Sequence, residues 1–213
     1  MPVQVKICGV STHDALGAAV KSGASHIGFV FFEKSPRNVS LDQAAALSET
    51  LPDHVKTVAL VVDPEAIFVE KITSALPRLG ALQFHGEETA DQIAEWRGKG
   101  FELWKAIPVR TNSDLIQASQ FAGCADRVLY DAKPPKGADM PGGTGQRFDW
   151  TLLQGHRPAL PWILAGGLDP YNVSEARQIT GASFFDVSSG VESAPGIKDV
   201  DKIAAFLKAT HDL

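Results

Sequence analysis

Short runs of β-branched and aromatic residues alternate along this chain with longer stretches whose apolar residues recur every three or four positions. The first pattern fits a buried strand and the second an amphipathic helix. It predicts strands over residues 3–7, 26–31, 57–62, 81–84, 102–107, 127–131, 162–165 and 184–187. Helices are predicted between them over 12–22, 41–50, 65–75, 90–97, 113–121 and 172–180, with a last one over 200–209. Gly and Pro mark the joints.

Several helix boundaries carry their own chemistry. Ser11-Thr12-His13-Asp14 and Ser40-Leu41-Asp42-Gln43 have the spacing of capping boxes. Asp63-Pro64 and Asp169-Pro170 place an acceptor before a residue whose φ is already helical. Gly23 and Gly181 stand where a helix should end on a left-handed residue.

Strands repeat about every 26 residues, with a helical stretch rather than a hairpin between them. Parallel neighbours require such a crossover, so the rhythm points to an α/β fold with parallel strands. An open doubly wound sheet would call for a G-x-G-x-x-G turn after the first strand. Cys8-Gly9-Val10-Ser11 is not that turn. The expectation is a (β/α)8 TIM barrel formed as a single domain by residues 1–213.

Composition narrows the function. The net charge of −5 comes without any run of Lys or Arg, which argues against nucleic acid as a partner. The first residues lack a basic segment followed by an apolar one, and no apolar run reaches membrane-spanning length. Two cysteines far apart, Cys8 and Cys124, do not make a disulfide framework, so a reduced, cytoplasmic setting is expected. The histidines show no ligand spacing, so no metal is expected. Outward-facing helices would allow a homo-oligomer as readily as a monomer.

A barrel builds its active site from strand C-terminal ends and the loops after them. Polar residues crowd those places here: Lys6, Cys8, Arg37, Gln83, His85, Asp131 and Asp186. Glycine-bearing loops follow the last three strands, with Gly142-Gly143-Thr144-Gly145, then Gly166-Gly167, then Ser188-Ser189-Gly190. Unhindered amides in such loops can hold a phosphate dianion, which makes Gly143, Gly145, Gly166, Gly167, Ser188, Ser189 and Gly190 candidate phosphate-binding residues. Taken alone, each paired glycine is equally a tight turn.

Cys8 sits between a strand end and a glycine, with Lys6 two residues back on the same face to favour a thiolate. Asp131 ends an apolar strand, where desolvation would favour the protonated form that a general acid needs. Arg37 has the planar fork that suits a substrate carboxylate. A small phosphorylated substrate and a thiol–carboxyl proton-transfer pair are therefore expected.

The chain also resembles the phosphoribosylanthranilate isomerase family of tryptophan biosynthesis. The likeness rests on Lys6-Ile7-Cys8-Gly9, on Gly28-Phe29-Val30-Phe31 with Ser35-Pro36-Arg37, on Gln83-Phe84-His85-Gly86 and on Asp131. It continues through Gly142-Gly143-Thr144-Gly145 with Phe148-Asp149-Trp150, Leu164-Ala165-Gly166-Gly167-Leu168, and Asp186-Val187-Ser188-Ser189-Gly190-Val191-Glu192. Phe84 stands where that family usually has Leu. The resemblance implies an Amadori rearrangement without cofactor, with Cys8 as general base and Asp131 as general acid. It further implies that Arg37 holds an anthranilate carboxylate, with Lys6, Gln83, His85 and Asp186 at the substrate. Other readings stay open on the residues alone. They are another sugar-phosphate barrel isomerase or synthase, or a phosphate-binding barrel without catalysis.

Overall fold

The computed structural model describes residues 3–133, 142–143 and 145–211. Eight parallel strands close into a barrel in chain order: β1 (Gln4–Cys8), β2 (His26–Phe31), β3 (Lys56–Val61), β4 (Leu79–Phe84), β5 (Glu102–Val109), β6 (Arg127–Ala132), β7 (Trp162–Leu164) and β8 (Phe184–Val187). β1 pairs with both β2 and β8, which completes the ring. Around it lie α1 (His13–Lys21), α2 (Leu41–Glu49), α3 (Ala66–Ala75), α4 (Ala90–Ala94), α5 (Asn112–Gln117), α6 (Val173–Thr180) and α7 (Val200–His211). The barrel expected from the alternating pattern is the observed one.

Period two divides each strand between an outer core and the barrel interior. Ile7, Ile27, Val61, Leu82 and Phe185 face the helices in the main hydrophobic core. Val58, Ala81, Trp104, Ala106, Leu129, Ile163, Ala165 and Phe184 form a separate apolar plug inside the barrel. Cys8, Val30 and Leu60 make a third cluster nearer the C-terminal ends of the strands. Lys6, Gln83 and Asp186 are buried polar members of the same inward-facing rows.

Caps hold the helix starts, though not always where the pattern placed them. Thr12, not Ser11, is the N-cap of α1 and accepts from Ala15 N. Ser40 accepts from Gln43 N, but the Gln43 side chain donates to Ser11 O, so that box is only half closed. Asp63 does not cap α3, whose N-cap is Glu65. Its carboxylate instead accepts from Glu87 N at 2.7 Å, with its own backbone at φ 43°. Asp169 does not cap α6 either: the N-cap is Asn172, and the Asp169 carboxylate accepts from Tyr171 N and Asn172 N in the turn before the helix. Gly181 ends α6 in the left-handed region and Gly23 follows α1 in the same conformation.

Several departures concern length and kind. The predicted helix over 113–121 is split into α5 and a 3₁₀ turn, Ala118–Phe121, and that over 90–97 shortens to α4. A 3₁₀ turn, Trp150–Leu153, precedes β7, where no element was expected. After β8 the chain makes another short turn, Ser189–Val191, and then a hairpin of β9 (Glu192–Ala194) and β10 (Ile197–Lys198). The hairpin lies against the loop after β2, where the Gly196 backbone crosses Pro36 too closely for a side chain. Among the described residues no helix is long and apolar enough to cross a membrane.

Candidate active site

A pocket of about 730 Å³, counting the open space at its mouth, lies at the C-terminal ends of the strands. Cys8 from β1 and Asp131 from β6 both line it. One flank is apolar, made by Val30, Phe32, Leu60 and Val62. The opposite flank is made by loops: Gly142, Gly143, Gly145 and Gln146, then Gly166, Gly167 and Leu168, then Ser188 and Ser189. Arg37, His85 and Asp186 complete the wall.

Not every expected residue reaches the pocket. Lys6 and Gln83 are fully enclosed beneath it and do not line it. Gly190 lies behind the wall, its backbone pressed on that of Leu168. Thr144 lies outside the described residues. Among the described residues the amides of Gly167 and Ser189 donate to no acceptor, so both N–H groups are free to meet a ligand.

Cys8 is 4% exposed, and the absence of a side chain at Gly28 makes room for it. A Cβ at Gly28 would fall 3.2 Å from Cys8 Sγ and 2.8 Å from Lys6 Cε. Burial pushes the thiol pKa above its ordinary value, while Lys6 beside it and Lys198 draw it down. For Lys6 burial opposes the charge, yet Asp186 and Cys8 outweigh that and hold its pKa above the usual lysine value. Its Nζ donates to Asp186 Oδ1 at 3.0 Å and to Gln83 Oε1 at 2.8 Å.

Asp131 does not sit in the purely apolar surroundings its strand suggested. Its Oδ1 accepts from Ala132 N at 2.7 Å and its Oδ2 lies 3.3 Å from His85 Nε2. Gly166 approaches so closely that a Cβ there would come 2.9 Å from Asp131 Oδ1.

Arg37 is buried rather than reaching freely over the mouth. Its Nε and Nη2 donate to the two carboxylate oxygens of Glu192 at 2.7 and 2.8 Å, and Nη2 also reaches Gly143 O at 3.2 Å. That fork-to-fork pairing fixes the guanidinium plane and leaves Nη1 without a partner among the described residues. Glu192 also takes Lys198 Nζ at 2.7 Å, and Lys198 donates to Ser188 O at 2.9 Å. Burial disfavours the Glu192 carboxylate, but Arg37 and Lys198 more than offset this and lower its pKa. Burial lowers the pKa of Lys198, only partly resisted by Glu192. Ser188 Oγ donates to Cys8 O at 3.1 Å, which ties this network back to β1.

Glu192 and Lys198 are the residues that sequence reasoning passed over. Glu192 closes the motif after β8, and Lys198 follows the Pro195-Gly196 turn. Their spacing was visible, but Arg37, the partner of Glu192, is 155 positions away in the chain.

Residues 5–209 match the family model described as N-(5'phosphoribosyl)anthranilate (PRA) isomerase. The chain is 50% identical over 212 residues to an N-(5'-phosphoribosyl)anthranilate isomerase of Paramagnetospirillum magneticum, covering 99% of this chain and 98% of that one. Its fold is similar to the crystal structure of phosphoribosyl anthranilate isomerase from Thermotoga maritima, with a TM-score of 0.88 and 35% identity over 99% of this chain and 100% of that one. A second solved phosphoribosyl anthranilate isomerase holds reduced 1-(o-carboxyphenylamino)-1-deoxyribulose 5-phosphate. It matches with a TM-score of 0.85 and 33% identity, over 99% of this chain and 100% of that one.

Proposed function

Since this chain belongs to the N-(5'-phosphoribosyl)anthranilate isomerase family, we propose that it carries out that isomerisation with Asp131 as general acid and Cys8 as general base. The observation that carries the reading is one pocket with an apolar flank, a glycine-amide flank, and a thiol and a carboxyl from different strands in its wall.

The flanks suit the two ends of the substrate. The aromatic ring of the anthranilate packs on Val30, Phe32, Leu60 and Val62, and its carboxylate meets Nη1 of Arg37, which has no partner among the described residues. Glu192 holds that guanidinium in plane, so binding orders no flexible side chain. The phosphate lies against the loops after β6, β7 and β8, where the free amides of Gly167 and Ser189 can donate to it.

The chemistry is then two proton transfers. Asp131 gives a proton to the ribose ring oxygen, the C1′–O bond breaks, and the open chain is a Schiff base. Cys8 takes the proton from C2′, whose acidity the adjacent iminium raises, and the enolamine tautomerises to the aminoketone with no net change in protons. Burial keeps the resting thiol protonated more than an exposed one, while Lys6 works against that. General acid and base catalysis supply about 10²–10⁴-fold each, and orientation of the open chain in the pocket supplies much of the remainder.

The purified protein should convert N-(5'-phosphoribosyl)anthranilate to 1-(2-carboxyphenylamino)-1-deoxyribulose 5-phosphate, followed by loss of substrate fluorescence and by mass-resolved product. Binding of the substrate without turnover would remove this reading in favour of a phosphate-binding barrel. Faster turnover of a sugar phosphate lacking the anthranilate ring would remove it in favour of another isomerase.

A further inference from the structure

The enclosed polar residues beneath the pocket have no chemical step of their own, yet their donors and acceptors leave only one arrangement. A lysine ammonium has three donors and no acceptor. Lys6 Nζ meets the Gln83 side chain at 2.8 Å, so the atom facing it must be the amide oxygen. The amide nitrogen therefore faces the other way, 3.0 Å from His85 Nδ1. An amide nitrogen only donates. Nδ1 is then the acceptor, and the proton of a neutral imidazole must sit on Nε2, which lies 3.3 Å from Asp131 Oδ2.

The geometry points to Gln83 as a positioning residue: anchored by Lys6, it fixes His85 as the Nε2–H tautomer, which presents its protonated nitrogen to Asp131 Oδ2 at 3.3 Å. The consequence for catalysis rests on the reading of Asp131 as general acid. In the opposite tautomer His85 would turn a lone pair toward Asp131. That lone pair would be an acceptor beside the carboxyl, competing with the ribose oxygen for its proton. With Nε2 protonated and Nδ1 occupied by the Gln83 N–H, His85 cannot take that proton. It steadies instead the carboxylate that forms when the proton leaves. Ala132 N anchors the other oxygen at 2.7 Å while the carboxyl faces the pocket. Gly142 closes over the pair; a Cβ there would lie 2.6 Å from His85 Nε2 and 2.7 Å from Asp131 Oδ2.

The test reads the tautomer directly. Histidine ¹⁵N shifts distinguish a protonated from an unprotonated ring nitrogen, and a His85→Gln sample identifies the His85 signals. The wild-type protein should show Nε2 protonated and Nδ1 bare. Gln83→Glu keeps the size and the partnership with Lys6 but replaces the donor facing Nδ1 by an acceptor. It should move the proton to Nδ1 and lower kcat by about 10–100-fold, the scale of a misplaced catalytic group, with KM changed less than about threefold. Gln83→Met, which removes the polar end, should give mixed Nδ1 and Nε2 signals and an intermediate kcat, and serves if Gln83→Glu does not fold. A wild-type His85 protonated at Nδ1, or a Gln83→Glu protein with wild-type shifts and kcat, overturns the inference. Asp131→Asn reports separately on the acid: full turnover there removes that assignment, while the wild-type nitrogen shifts alone decide the tautomer.

Discussion

At the N-terminal end of the strands, His26, Trp104 and Phe184 stack with ring centroids 4.8–5.5 Å apart. Arg127 lies over the Phe184 ring and pairs with Glu102 at 2.8 Å, and Glu102 also accepts from Trp104 Nε1 at 2.8 Å. At the C-terminal end the same inward rows carry Cys8, His85 and Asp131, walled by loops with free amides. Both ends contain charge and aromatic or apolar surface. They differ in whether that charge is satisfied. At the base the ring nitrogen of Trp104 and Nε of Arg127 both end on Glu102, whereas at the mouth Arg37 Nη1 and two loop amides have no partner among the described residues. A polar group with no internal partner has a use only if something else supplies one, so the difference separates what holds the barrel from what it acts with.

The sharpest way to break that division is to cut one group at each end. Cys8→Ala or Asp131→Ala should lower kcat by about 10²–10⁴-fold, the usual worth of one acid–base group, with thermal melting nearly unchanged. Trp104→Leu at the base should do the reverse, costing about 3 kcal/mol of stability as a cavity in a packed plug while the folded fraction keeps its turnover. Stopped assays at fixed folded concentration and calorimetry on the same samples read both. A Trp104→Leu protein that is folded yet inactive would merge the two ends into one functional unit.

Lys6 lies between the ends and should feel both. Lys6→Met strands the buried Asp186 carboxylate, for which about 3–5 kcal/mol of destabilisation is expected. It also removes an influence that lowers the Cys8 pKa, so burial acts less opposed and the pKa rises further. The ascending limb of activity, where the thiol becomes a base, should therefore move to higher pH. Thiolate absorbance and the pH–rate profile measure it; an unmoved limb would place Cys8 beyond the reach of Lys6.

Most of the mouth was legible because a barrel converts strand ends into a site, and polar residues at strand ends are conspicuous against apolar runs. Depth was harder. Two residues along a strand move a side chain by about 6–7 Å, enough to put Lys6 a full layer below Cys8, so residues expected at the substrate became its support. Distant pairing was not legible at all. Nothing near Glu192 or Arg37 announces their partnership, which the closure of the barrel creates. Asp63 misled for a related reason: its helix-start spacing is real, but the loop after β4 supplies Glu87 N, and the carboxylate is taken by that longer-range contact.

Arg37 tests whether a side chain already paired through Nε and Nη2 still binds through Nη1. Arg37→Ala should raise KM and weaken a reduced product analogue by about 30-fold or more, the range for one partner of a desolvated charge pair, with a smaller change in kcat. Glu192→Gln keeps one acceptor for the guanidinium and should cost less than about tenfold in the same titration. Unchanged analogue affinity in Arg37→Ala would leave the carboxylate of the substrate to another donor.

The mildest effect belongs to the base and is read by acid. Burial, aided by the charge of Lys56, pushes the His26 pKa down to about 3, so the ring is neutral in the fold while the unfolded ring titrates near 6.5. The unfolded chain therefore binds more protons between those values, and stability is full above the unfolded pKa and lost as pH falls toward the folded one. From pH 7 to pH 5 His26 should cost about 2 kcal/mol, to be separated from carboxylate effects by comparing wild type with His26→Phe in denaturant melts at both pH values. The variant keeps the stack with Trp104 and Phe184 and should lose that part of the slope, with kcat at neutral pH unaltered. An equal slope in both proteins would mean that His26 finds a proton inside the folded barrel. The base would then hold an unspent site of its own, and the contrast with the mouth would fail.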